Sequence, residues 1–157
     1  MKHTKVKDLL NSTTTLQEVN AKGWVRTFRN NQFIALNDGS TINNIQCVVD
    51  FENTPDETLK RITTGAAISV IGSLVESQGA GQKYEIQVRQ LEILGDSDAE
   101  KFPMQPKKHS LEFLRETTHL RVRTNACDAI MRVRSVFADA VHTYFQEQGF
   151  VYVNTPI

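Results

Sequence analysis

The chain has 157 residues, with 18 basic and 18 acidic side chains, 39% hydrophobic and 23% charged residues. This fits a globular chain of one ordinary domain, or a small domain with an appendage, and excludes a disordered or acidic-tail protein. A zero net charge also excludes a global basic field, so any nucleic-acid contact must come from a local patch.

No apolar run has the length of a membrane span, and the lysine-containing N-terminus lacks a signal-peptide core. Cys47 and Cys127 have no metal-ligand spacing. They read as reduced, buried thiols in a cytosolic setting.

Thr4 to Leu10 predicts a short helix capped by Thr4, with Val6, Leu9 and Leu10 as an apolar stripe that plugs one end of a sheet; a frayed terminus is the alternative. Leu16–Arg29 predicts a long first strand, with Gly23 marking a bend or bulge. The turns Asn30-Asn31 and Asp38-Gly39-Ser40-Thr41 then set off two further strands, Gln32–Asp38 and Asn44–Phe51.

Thr54 as N-cap, Pro55 at the first helical position and Glu57 closing a capping box predict a helix. Its Leu59 and Ile62 face inward, and Gly65 stops it as a left-handed residue. Ala66–Val75 and Lys83–Leu94 predict a fourth and a fifth strand, joined by the hairpin loop Ser77–Gln82. That loop lacks the strand-to-helix setting and lysine–serine pair of a phosphate loop, and reads as a flexible border to a binding face.

Three strands, a short helix and two strands are the order of an OB-fold, a five-stranded Greek-key barrel that commonly binds single-stranded nucleic acid on strands two and three. Another small β-barrel is the runner-up. The fold class expected is therefore mainly β, an OB-fold barrel with short capping helices, followed by a helical hinge and a long helix.

Period-two alternation places Ile34 and Leu36 on one face of the second strand, with Ile45, Cys47, Val49 and Phe51 on the matching face of the third. Phe33, Ala35, Asn37, Gln46, Val48 and Asp50 take the opposite, more polar face. An aromatic ring and an amide there, with Arg26 and Arg29 nearby in sequence, suit stacking on and hydrogen bonding to an unpaired base. The alternative is a Phe33 covered by a loop and a Gln46 that only solvates the sheet.

Asp96–His109 reads as a linker with two prolines. Ser110–Leu120 predicts a helix capped by Ser110, and Arg115, His119, Arg121 and Arg123 make the region locally basic. Asn125–Gln148 is the longest periodic segment, with Asn125 as cap and Gly149 as terminator. Its apolar face is wide and calls for a partner. Phe150–Val153 begins a strand, and a chain ending on a fresh strand reads as a piece of something larger. The expected domains are 1–95 (barrel), 96–125 (linker and hinge helix) and 126–157 (the start of a further domain).

Gly23-Trp24-Val25-Arg26-Thr27, Asp38-Gly39-Ser40 and Gln46 resemble the N-terminal anticodon-binding OB-fold of the class IIb aminoacyl-tRNA synthetases, the aspartyl, asparaginyl and lysyl enzymes. The segment His109-Ser110-Leu111-Glu112-Phe113-Leu114-Arg115-Glu116, followed by His119-Leu120-Arg121 and Arg123-Thr124-Asn125, is similar to the hinge of bacterial-type asparaginyl-tRNA synthetases. Gln148-Gly149-Phe150 through Thr155-Pro156 resembles class II motif 1.

The resemblance implies that Phe33 stacks on the central anticodon base, that Gln46 reads it and that Arg29 lies beside it. Val48 stands where some relatives carry a second aromatic, which narrows the stacking platform. The implied partners are the tRNA(Asn) anticodon loop and a second copy in a homodimer formed through motif 1, with Phe137, Val141 and Pro156 at the interface. No catalytic or metal-ligating residue is expected in this stretch, and no cofactor. ATP and Mg2+ belong to a cytoplasmic full-length ligase whose catalytic motifs would follow Ile157. A sister specificity, a general single-stranded nucleic-acid module and a protein-docking domain are the competing readings.

Overall fold

A computed structural model describes residues 2–79 and 81–156. Ala80, in the predicted hairpin loop, and Ile157, after the predicted last strand, lie outside the described residues. Two compact units meet in sequence between Ser110 and Leu111.

In the first unit β1 (Leu16–Arg29), β2 (Phe33–Asn37), β3 (Ile45–Val48), β4 (Ala67–Glu76) and β5 (Tyr84–Gly95) close a barrel in the order β1-β2-β3-β5-β4. All neighbours are antiparallel except β3 and β5, which run parallel. Helix α1 (Val6–Leu10) precedes the strands, and α2 (Asp56–Arg61) connects β3 to β4. This is the expected OB-fold.

The alternation explains the closure. Val19, Ala21, Val25, Ile34, Leu36, Ile45, Cys47, Ile68, Val70, Leu74 and Ile86 are all buried in one core, joined by Val6 and Leu9 of α1. β-branched residues dominate this inner face, where they fit a pleated, half-buried surface. Each such side chain contributes about 1.5–3 kcal/mol on burial.

β1 serves two neighbours. Leu16 to Trp24 pairs with β4, and Trp24 to Arg29 pairs with β2. The register shift against β2 falls between Val25 and Thr27, not at Gly23. Gly23 is needed for a different reason: a Cβ there would lie 2.5 Å from the Asn37 carbonyl oxygen. A register shift in the β4–β5 pair falls between Ile71 and Gly72, with Arg89 of β5 as the extra residue, and a Cβ on Gly72 would clash with the Gln87 carbonyl oxygen.

Several local expectations are corrected. β3 ends at Val48, and Phe51 is 46% exposed instead of facing the core. Asp50 turns the chain: its carboxylate accepts from the backbone N–H groups of Glu52 and Asn53 and from the Asn53 amide. The Thr54 hydroxyl donates to the Asp50 carbonyl at 2.6 Å, so it caps no helix. α2 has Pro55 at its N-cap without a side-chain cap, and the Glu57 capping box does not form.

Gly65 is left-handed (φ 91°), yet α2 already ends at Arg61. Gly65 instead leads the chain into β4, donating its N–H to the Val25 carbonyl at 2.8 Å. Thr4 does not cap α1. Its N–H donates to the Asn20 carbonyl at 2.7 Å, and Asp38, from far along the chain, accepts the Val6 N–H at 2.9 Å.

The linker folds onto the barrel. Arg61 grips Asp96 with two hydrogen bonds of 2.8 and 2.9 Å, Ser97 donates to the Thr64 carbonyl at 2.9 Å, and Met104 is buried. The first unit runs through Ser110.

In the second unit α3 covers only Leu111–Glu116, and a 3-10 turn follows at Arg121–Arg123. Helix α4 (Asn125–Glu147) is capped by Thr124, whose hydroxyl oxygen accepts from the Cys127 N–H at 3.4 Å; Asn125 is already helical. Cys127 is half-buried, not buried.

Gly149 (φ 84°) ends α4. Phe150–Val153 forms no strand: Phe150 donates its N–H to the Phe145 carbonyl at 3.0 Å, and its ring meets Phe145 edge-on at 5.5 Å. A strand needs a neighbour to satisfy its backbone, and the described residues provide none here.

Candidate nucleic-acid interface

The outward face of β1, β2, β3 and β5 is built in two rows. Cross-strand pairing sets Arg29 beside Phe33, Phe33 beside Val48, and Val48 beside Gln87. The next row sets Thr27 beside Ala35, Ala35 beside Gln46, and Gln46 beside Glu85. Directly paired side chains lie about 4.5–5.5 Å apart at Cβ and diagonal ones about 7–8 Å, so Phe33 and Gln46 are diagonal neighbours.

An open cleft of about 670 Å³ lies on this face, lined by Arg29, Asn30, Gln32, Phe33, Gln46, Val48, Gln78, Gly79, Glu85 and Gln87.

The turn at its rim is set by sequence. Asn30 and Asn31 both adopt left-handed conformations (φ 54° and 50°), and Gln32 donates its N–H to the Arg29 carbonyl at 3.1 Å. Asn tolerates this region far better than branched residues. The turn leaves Arg29 exposed, and its guanidinium forms no ion pair among the described residues.

Glu85 lies at the base of the cleft and is only 7% exposed. Its Oε2 accepts from Gln46 Nε2 at 3.1 Å and from the Ser77 hydroxyl at 2.9 Å, while its Oε1 accepts from Gln87 Nε2 at 3.0 Å. A buried carboxylate is tolerated only when its lone pairs are filled in this way. Ser77 in turn accepts from the Gly79 N–H and the Gln82 amide, which ties the β4–β5 loop to the same carboxylate. Cys47, on the opposite face of β3, is fully buried, and burial pushes its thiol pKa far up.

Arg29, Phe33 and Gln46, expected from the sequence to act together, do share this cleft. Arg26 does not line it: it is the extra residue at the register shift. Phe137 (69% exposed) and Val141 (40%) lie on α4, and Pro156 is exposed in the tail of the second unit. Glu85 and Gln87 were missed. Alternation along β5 marks them as outward-facing, but their place beside β3 depends on a parallel pairing between segments far apart in sequence.

The OB-fold nucleic acid binding domain family matches residues 19–94. The asparagine--tRNA ligase of Parabacteroides distasonis is 54% identical over 160 residues, covering 100% of this chain and 34% of that protein. The asparagine--tRNA ligase of Bacteroides fragilis is 55% identical over 157 residues, covering 98% and 33%. The asparaginyl-tRNA synthetase of Pyrococcus horikoshii, solved as a complex with asparaginyl-adenylate, shares the fold at TM-score 0.82 and 23% identity, covering 100% of this chain and 37% of that one.

The chain spans about a third of the length of the curated relatives it matches. The OB-fold nucleic acid binding domain family matches residues 19–94, and along its whole length the chain is similar to part of the asparagine--tRNA ligases.

Proposed function

We propose that the barrel reads the anticodon loop of tRNA(Asn) as part of an asparagine–tRNA ligase. The observation that carries this is the meeting of Phe33, Gln46 and Arg29 in one cleft of an OB-fold whose relatives are asparagine–tRNA ligases. Phe33 stacks on the central base, Gln46 hydrogen-bonds to its edge and Arg29 faces the phosphate backbone. ATP and Mg2+ act with the catalytic region in the remaining two thirds of the ligase. Among the described residues no cluster of His, Cys, Asp or Glu fits a metal ion, and no helix is long and apolar enough to cross a membrane.

The same reading assigns the exposed apolar face of α4, with Phe137, Val141 and Pro156, to a homodimer interface. Light scattering over a concentration series tests this. Dimers dispersed by Phe137→Ser support it, and a monomer at every concentration opposes it.

The direct test of anticodon reading is binding to RNA hairpins whose loop carries GUU or GCU. Tighter binding of GUU supports the reading. Equal binding with a steep salt dependence would reduce the barrel to a general single-strand binder.

A further inference from the structure

We propose that Glu85 decides which pyrimidine the barrel accepts, by locking the orientation of the Gln46 amide. This rests on the anticodon reading above and assigns a positioning residue to the same cleft.

A Gln amide presents an acceptor and a donor side by side, and turning it by 180° exchanges them. Glu85 removes that freedom. An ionised carboxylate only accepts, so it must face the NH2 group, as it does at 3.1 Å from Gln46 Nε2. A flipped amide would set Gln46 Oε1 against Glu85 Oε2, acceptor against acceptor, at a site where Glu85 is 7% exposed and little water can intervene. Ser77 and Gln87 hold the carboxylate from both oxygens, so it cannot swing away. Gln46 Oε1 has no hydrogen bond among the described residues. It therefore faces the base as the acceptor, with the second Nε2–H as the donor beside it.

The orientation matters because it separates uracil from cytosine. Uracil presents an N3–H donor flanked by carbonyl acceptors. The locked amide matches it, Oε1 accepting from N3–H and Nε2–H donating to the adjacent carbonyl. Cytosine presents an N3 acceptor beside an amino donor. In the same pose Oε1 meets N3 and Nε2–H meets the amino group, and both contacts repel. Only the flipped amide fits cytosine, and Glu85 forbids the flip.

The test uses the 157-residue chain and two RNA hairpins differing only in a central loop U or C, with affinity read by fluorescence anisotropy. Glu85→Gln keeps the shape but can donate as well as accept, so both Gln46 orientations become allowed. The U:C preference should fall about tenfold, with the C hairpin binding more tightly than it does to the parent. Ser77→Ala removes one of the two groups that hold the carboxylate but leaves the Gln46–Glu85 bond, so its U:C preference should fall less than that of Glu85→Gln.

Should Glu85→Gln fail to fold, Glu85→Met fills a similar volume without favouring either orientation and must lose the preference too. An unchanged U:C ratio in a folded Glu85 variant, including equal weakening of both RNAs, overturns the lock and leaves the anticodon reading standing. A parent chain without any U:C preference overturns the anticodon reading, and the lock with it.

Discussion

The barrel and helix α4 place their apolar residues in opposite ways. In the barrel Ile34, Leu36, Ile45 and Ile86 are fully buried, and the outer face carries Phe33, Gln46 and Glu85 around a polar cleft. In α4 Val133, Val136, Phe137, Tyr144 and Phe145 lie exposed, and no residue of the helix is buried. The barrel satisfies its own hydrophobic demand and can hold a site rigidly. α4 has an apolar face wide enough to pack against something, and within its own unit little covers it.

The largest effect should come from emptying the barrel core. Ile34→Ala should cost about 2–5 kcal/mol of stability, read by urea denaturation. Val136→Ala on α4 should stay within about 0.5 kcal/mol in the monomer. Comparable losses at the two positions would dissolve the contrast.

Next comes Gly72→Ala, whose Cβ would clash with the Gln87 carbonyl oxygen at 2.0 Å. Backbone cannot yield as a side-chain tip does, so about 1–3 kcal/mol should be lost in the same assay. Wild-type stability would mean that the bulge is looser than its geometry. Phe33→Ala tests the outer face: RNA affinity should drop by about 1–3 kcal/mol in anisotropy titrations, with the urea midpoint unmoved.

The smallest effect concerns Asp38. Burial pushes its carboxyl pKa up, but the Ser40 hydroxyl and the N–H groups of Val6 and Ser40 outweigh that and hold it below the ordinary value. A carboxylate with a depressed folded pKa contributes stability that is whole above its unfolded pKa, near 3.9, and is lost as pH falls through the folded one. Asp38→Ala should therefore cost about 1 kcal/mol at neutral pH, and the gap to the parent should close below about pH 4.

What was legible in the sequence was local. Alternation with β-branched residues marked the strands, and Asn30-Asn31 marked the turn that its two left-handed residues make. The same alternation put Phe33 and Gln46 on the outer face, where both line the cleft. What escaped was made by distant partners. Asp38 caps α1 across 32 positions, and Glu85 reaches Gln46 across 39. Thr54 looked like a cap until Asp50 turned the chain and took its hydroxyl. Phe150–Val153 has strand-like residues, but a strand is a relation between two segments, and this one lacks the second among the described residues.

The parallel seam between β3 and β5 also has a kinetic consequence. Gln46 belongs to one antiparallel pair (β2–β3) and Glu85 to another (β4–β5), each formed between segments close in sequence. Local hairpins form within microseconds, whereas contacts across long loops come later. Neither hairpin alone contains both Gln46 and Glu85, so discrimination between bases should emerge only with the step that joins the two. In a refolding experiment, the first appearance of U-over-C preference would time the closure of the barrel.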